Sequence, residues 1–215
     1  MGETGKKLAD LTVRGFADIV ASDAPAPGGG SVAALYGSVG AALTAMVAGL
    51  TQGRKKYLDY ADHAAEVQRE ASALQARLMD VMDRDTDAFN AVSAAFSLPK
   101  ETDEQKAARS AAIQNGLKAC TRTPMEMMEL CDEALTLAAS LLGRFNETSA
   151  SDLGVAFLSL KAGIQGAWLN VLINVSSLKD REFAEEYRLR GEKLLQHALP
   201  LADECYTAIL KLVEG

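Results

Sequence analysis

The chain has 215 residues, 48% of them hydrophobic but only 6% aromatic, and a net charge of −7. This length suits one domain with a large core, and a core poor in aromatics must be filled by Ala, Leu, Val and Met, which favours closely packed helices over a sheet. The acidic balance, with no basic stripe interleaved with aromatics, argues against nucleic-acid binding. Three widely spaced cysteines, Cys120, Cys131 and Cys205, suggest reduced cytoplasmic thiols, neither a disulfide framework nor a zinc site. The polar start, Met1 to Asp10, lacks the apolar core of a secretory signal.

In chain order, Leu8, Leu11, Phe16, Ile19 and Val20 predict a first amphipathic helix from Leu8 to Ala21. Pro25, Pro27 and Gly28-Gly29-Gly30 then form a loop that delivers free backbone N–H groups onto a helix capped by Ser31. Orphan donors and the helix dipole make such a junction a ready anion site, although a tight inter-helix loop needs the same residues. The uncharged run to Thr51 is as long as a membrane span and is followed by Arg54-Lys55-Lys56. Its modest, small-residue hydrophobicity argues for a core helix and against a membrane partner. One face carries Val32, Leu35, Val39, Leu43, Met46 and Leu50, and the opposite face carries Ala33, Gly37, Ala41, Thr44 and Ala48, so burial on both sides is expected.

A third helix is predicted without a break from Tyr60 to Phe96, roughly 55 Å at 1.5 Å per residue. Its apolar stripe of Val67, Ala71, Leu74, Leu78, Val81, Phe89, Val92 and Phe96 is interrupted at one position, Asp85. At 100° per residue Asp85 lies within about 40° of Leu74, Leu78, Val81, Phe89, Val92 and Phe96, so one carboxylate is aimed at the core. Pro99 ends this helix and Thr102-Asp103-Glu104-Gln105 opens the next with a capping box. Thr123-Pro124-Met125-Glu126 predicts a break or sharp kink, with helix resuming to about Leu142 and a loop from Gly143 to Ser149. A nearly uncharged helix from Ser151-Asp152 to about Leu178 should partner the Ser31–Thr51 helix at the centre, and a last helix from Arg181 to Val213 should bend at Pro200. The fold class is all-α: a multi-helix up-and-down bundle with two central apolar helices and one very long helix. Such a thin shape suggests a second copy covering its flank, a homodimer.

A buried Asp85 can serve as an acid or base, or can pair with a structural cation. Asn170 and Asn174, one turn apart, can hydrogen-bond a heterocycle or a neighbouring helix. Asp152 can cap its own helix or face a pocket. Lys55 and Lys56, with Arg54, are the densest positive cluster in an acidic chain. His63 and His197 are isolated, so no metal site is expected, and no nucleotide-binding glycine motif occurs.

Pro27 to Leu35, Gly53 to Tyr57, Asp85 to Phe89, Leu98-Pro99-Lys100, Ser151-Asp152 with Val155-Ala156, and Asn170-Val171 with Asn174 together resemble the cyclodeaminase/cyclohydrolase family. The resemblance spans nearly the whole chain in order, with one departure: Phe145-Asn146 stands where the family tends to have Gly-Asn. It implies an all-helical dimer acting on a tetrahydrofolate derivative as substrate, at the carbon bridging N5 and N10. Two reactions follow from it, hydrolysis of the methenyl bridge or cyclisation of a formimino group with loss of ammonia. By matching position, it implies catalytic roles for Asp85 and Asp152. It also implies substrate contacts from Gly28, Gly29, Gly30, Ser31, Asn146, Asn170 and Asn174, with Lys55, Lys56 or Lys100 meeting a glutamyl or polyglutamyl tail. A non-catalytic folate-binding bundle is the alternative.

Overall fold

The computed structural model describes residues 7–215, and every regular element in them is helical. Residues 1–6 of the polar start lie outside the described residues. Six α-helices follow in order: α1 Val13–Val20, α2 Gly29–Thr51, α3 Ala61–Phe96, α4 Asp103–Ser140, α5 Ala150–Ser176 and α6 Arg181–Glu214.

The predicted first helix is split. Thr12 accepts a hydrogen bond from the Gly15 amide and so starts α1 at Val13, while Leu8–Asp10 form a separate 3-10 turn anchored by the Leu8 amide on Asp83 Oδ1 at 2.7 Å. The long helix is unbroken, 36 residues and therefore about 54 Å. The capping box also forms: the Gln105 amide donates to Thr102 Oγ1 while Gln105 Oε1 accepts from the Thr102 amide, each at 3.2 Å.

The break expected at Thr123-Pro124 does not occur, and α4 runs through Pro124 without leaving helical geometry. Proline has no N–H, so the carbonyl of Cys120, one turn back, loses its intrahelical donor. Asn174 of α5 replaces it, its Nδ2 donating to Cys120 O at 2.8 Å. The hydroxyls of Thr121 and Thr123 bond the carbonyls of Leu117 and Ala119, so the neighbouring acceptors are doubly satisfied. Helix α6 likewise continues past Pro200.

Helix α2 lies between α3 and α5, with α4 behind it and α6 on the far side of α5. Helices α2 and α5 are antiparallel: Gly29 faces Asn170, Gly37 faces Gly163, and Gly40 faces Leu160. Their backbones touch. A Cβ on Gly163 would lie 3.0 Å from the Gly37 nitrogen and 3.1 Å from the Ala33 carbonyl oxygen, and one on Gly37 would collide with Cys131 of α4. Among the described residues α2 and Glu147–Ser176 are each long and apolar enough to cross a membrane, a property that follows here from their forming the central pair.

The expectation that α2 is buried on both sides is corrected. Its small face, Ala33, Gly37, Ala41, Thr44 and Ala48, is buried, whereas Tyr36, Val39, Met46 and Leu50 are exposed. Small side chains let backbones approach, so that face takes the core and the large side chains are left outside. Val155, Leu158, Leu169 and Ile173 of α5 extend the same exposed apolar surface.

Gly163→Ala should cost about 1–3 kcal/mol, because two of the atoms its methyl meets, the Gly37 nitrogen and the Ala33 carbonyl oxygen, are backbone and cannot swing away. Urea unfolding would register this as a lower midpoint with an unchanged slope.

Candidate functional site

A trench of about 450 Å³ opens where the first turn of α2 meets the C-terminal halves of α3 and α5. The loop before α2 supplies Pro25 and Gly28, and the first turn of α2 supplies Gly29 and Gly30; α3 supplies Asp85, Thr86, Phe89, Val92 and Phe96. Leu117 and Cys120 come from α4, and Asn170, Ile173, Asn174 and Ser177 from the end of α5. A groove of about 440 Å³ between α3 and α4 is lined instead by the charged side chains of Glu70, Arg77, Asp132 and Glu133.

The end of the trench is set by Gly30 and Ser31. Helix α2 begins at Gly29 with Gly28 as its cap residue, so Ser31 is not the expected N-cap. Its fully buried hydroxyl instead donates to Asp85 Oδ2 at 3.2 Å and lies 3.2 Å from Thr86 Oγ1. A Cβ at Gly30 would fall 2.5 Å from Asp85 Oδ2, so only glycine allows the carboxyl to sit against the helix start. Burial pushes the Asp85 carboxyl above the ordinary carboxylate range, and hydrogen bonds from the Ser31 side chain and backbone partly restrain that rise. Among the described residues the structural ion pair considered for Asp85 does not form. The adjacent Arg84 turns away and binds Glu126 through both terminal nitrogens at 2.8 Å.

The two asparagines flank this carboxyl with fixed orientations. Asn174 spends its amide group on Cys120 O and Asn170 O, at 2.8 and 2.7 Å, and Asn170 donates to Gly166 O at 2.9 Å. Each therefore keeps its Oδ1 as an acceptor. Cys120 stays a neutral thiol: burial and the nearby Asp85 charge push it up to about 11.

The remaining sequence-derived candidates are not brought to this trench within one copy. Asn146 is buried at the other end of α2, where its amide donates to Thr51 Oγ1 at 2.9 Å, its Nδ2 to Leu50 O, and its Oδ1 accepts from Thr148. Lys55 and Lys56 belong to the 3-10 segment after α2, and Lys56 binds Glu147 at 3.0 Å. Asp152 sits half-buried in the first turn of α5, about 27 Å along that helix from Asn170. It is not a cap, since α5 starts at Ala150. Lys100 is exposed in the linker beyond Phe96. Conversely, the trench is also lined by Thr86, Leu117, Cys120, Ile173 and Ser177, none of which the sequence marks as a site residue. Phe89, Val92 and Phe96 read as core because they share the Asp85 stripe, but α3 outruns its neighbours and leaves Phe89 and Phe96 exposed along the trench.

Because the folded protein holds Asp85 above its unfolded pKa, stability is lost as pH rises through the folded value and the buried carboxyl ionises. Asp85→Asn should therefore melt higher than wild type at neutral pH. The gain should shrink as pH falls below the folded pKa, which thermal unfolding at several pH values would show.

Comparison with known proteins adds independent information. The sequence model of the Formiminotransferase-cyclodeaminase family matches residues 12–193. A methenyltetrahydrofolate cyclohydrolase of Methylorubrum extorquens is 42% identical over 198 residues, covering 92% of this chain and 95% of that protein. A formimidoyltransferase-cyclodeaminase of Rattus norvegicus is 36% identical over 197 residues, covering 90% of this chain but only 36% of the relative. Among solved structures, a formiminotetrahydrofolate cyclodeaminase from Thermotoga maritima superposes with a TM-score of 0.78 at 28% identity, covering 96% of this chain and 97% of that one. With the sequence match spanning the bundle from α1 into α6 and the fold shared over its whole length, this chain belongs to the formiminotransferase-cyclodeaminase family.

Proposed function

We propose that this chain is a folate one-carbon enzyme acting at the carbon between N5 and N10 of tetrahydrofolate, and that it hydrolyses the methenyl bridge. The observation that carries the reading is the trench itself: among the described residues its lining holds one carboxyl, Asp85, and no Lys, Arg or His. A methenyl bridge is an amidinium-type cation. One carboxylate with the Oδ1 atoms of Asn170 and Asn174 complements it, and identity over nearly the full length of a methenyltetrahydrofolate cyclohydrolase supports the choice.

In this scheme Asp85, ionised, takes a proton from water as the water oxygen bonds the bridging carbon. The tetrahedral adduct then collapses: its hydroxyl proton leaves to solvent, the bond from carbon to N5 breaks, and Asp85 returns its proton to N5. The product is the 10-formyl form plus one released proton. The backbone N–H groups of Gly28, Gly29 and Gly30 supply the donors for an oxygen of the ligand. The scheme uses no metal and no nucleotide.

A second reading is favoured by the Thermotoga maritima and Rattus norvegicus relatives, cyclodeamination of formiminotetrahydrofolate. There N10 attacks the formimino carbon, the N10 proton passes to the former imino nitrogen, a protonated Asp85 gives that nitrogen a second proton, and the carbon–nitrogen bond breaks to release ammonia and the methenyl cation.

Absorbance of the methenyl chromophore separates the readings: faster decay marks hydrolysis, and appearance with ammonia marks cyclodeamination. Binding without either reaction would mark a non-catalytic bundle. Asp85→Asn should lower turnover by roughly 10²–10⁴. Hydrolysis should fall as pH drops through the Asp85 pKa, and Ser31→Ala, by removing a donor to the ionised form, should move that acid limb to higher pH.

The exposed apolar face of α2 and α5 supports a homodimer. A two-fold axis normal to that face would set the Gly29 end of one α2 against the Thr51 end of the other. Asp152 of the partner subunit, with Asn146, Lys55 and Lys56 on the same end, would then complete the trench. Mixing inactive Asp85→Asn and Asp152→Asn proteins after subunit exchange should restore about a quarter of wild-type activity. No recovery from exchanged mixtures would reject a shared site.

A further inference from the structure

We propose that Arg109 and Lys179 form a carboxylate-binding rim at the outer end of the trench and hold the glutamate tail of an elongated ligand whose head lies at Asp85. This rests on the folate reading and names the part of the ligand that the trench itself leaves unaccounted for.

The trench has direction. Along α3 it runs from Asp85 past Phe89 and Val92 to Phe96, about 16 Å at the helical rise, and along α5 from Asn170 past Asn174 to Ser177. The buried carboxyl and the free helix donors are at one end, and exposed aromatic rings occupy the middle. The other end is tied together by the first turns of α4. Arg109 donates to the Phe96 carbonyl oxygen from Nη2 at 3.1 Å and from Nε at 3.3 Å, with its guanidinium carbon 5.8 Å from the Phe96 ring centre. Gln114 donates to the Ser177 carbonyl oxygen at 3.3 Å and accepts from the Lys179 amide at 2.7 Å. Lys179 Nζ then donates to the hydroxyl of Ser110, the residue after Arg109, at 2.8 Å. Two cations, one on α4 and one in the linker between α5 and α6, are thus gathered where the two trench walls end.

Both cations rest on neutral partners. Two other bases of α4 do not: Lys118 holds Asp180 at 2.6 Å and Lys106 holds Asp103 at 2.9 Å. Among the described residues neither Arg109 nor Lys179 has a carboxylate within salt-bridge distance, in a protein whose net charge is −7. Positive charge left unmatched in an acidic protein, at the open end of an aromatic-walled trench, suits an anionic terminus. Arg109 and Lys179 offer a fork and a point charge for carboxylates. Lys56, by contrast, is already matched by Glu147 at the opposite end of α2.

The test is a binding preference measured apart from turnover. Isothermal titration with p-aminobenzoyl-triglutamate and with p-aminobenzoate should show at least 10-fold tighter binding of the tailed probe, a preference that weakens as salt is raised. The Arg109→Gln/Lys179→Gln double variant should lose that preference, whereas Lys193→Gln, on the exposed side of α6, should keep it. Unchanged circular dichroism and melting would show that the double variant is folded, and Arg109→Lys should retain part of the effect. Equal binding of the two probes by wild type, or a preference that survives the double substitution, overturns the rim. So does loss of the preference in Lys55→Gln/Lys56→Gln alone. Methenyl hydrolysis by a wild type without tail preference would sink the rim and leave the folate reading standing. Tail preference without turnover of either folate would do the reverse.

Discussion

The first turn of α2 lies so close to α3 that one methyl group at Gly30 would sit 2.5 Å from an Asp85 oxygen. The site depends on this approach, which holds a carboxyl away from water while leaving it hydrogen bonds from Ser31. The approach is in turn made possible further along α2, where Gly37 and Gly163 let α2, α4 and α5 meet with backbone and sulfur in contact. Small residues therefore act on the chemistry indirectly. They bring three backbones together, and the geometry of the trench follows.

A second constraint links core and site. Pro124 deprives the Cys120 carbonyl of its helical donor, and Asn174 satisfies it from the neighbouring helix. Leaving that carbonyl unpaired in a buried place would cost about 1–3 kcal/mol, so the amide is held firmly. Its orientation is thereby decided, with nitrogen toward α4 and oxygen left to accept. A residue that can be read either as helix glue or as a ligand contact does the first with one atom and has the second atom free.

Helix existence and order were legible from period and caps: α3 from its stripe, α4 from Thr102 and Gln105, and α2 and α5 from their want of charge. Asp85 was legible for the same reason, as the one carboxylate on an apolar stripe. The misreadings have a common cause. At Pro124 and at Ser31 the local rule was sound, but a side chain or backbone group from another helix supplied the partner that the rule assumed to be missing or local. Asn146 is similar: its polar atoms are consumed in fastening a loop to the end of α2.

By itself the sequence determined an all-helical chain, the pairing of two small-faced helices, and a carboxylate set among apolar side chains, because periodicity and composition are properties of a single strand of chain. Only the tertiary structure decided which face of α2 is buried, which residues share the trench, and that Arg109 of α4 and Lys179 of the α5–α6 linker meet at its outer end. Those facts depend on distances between helices far apart in the chain, and such distances are set by where backbones can touch, which no single helix records.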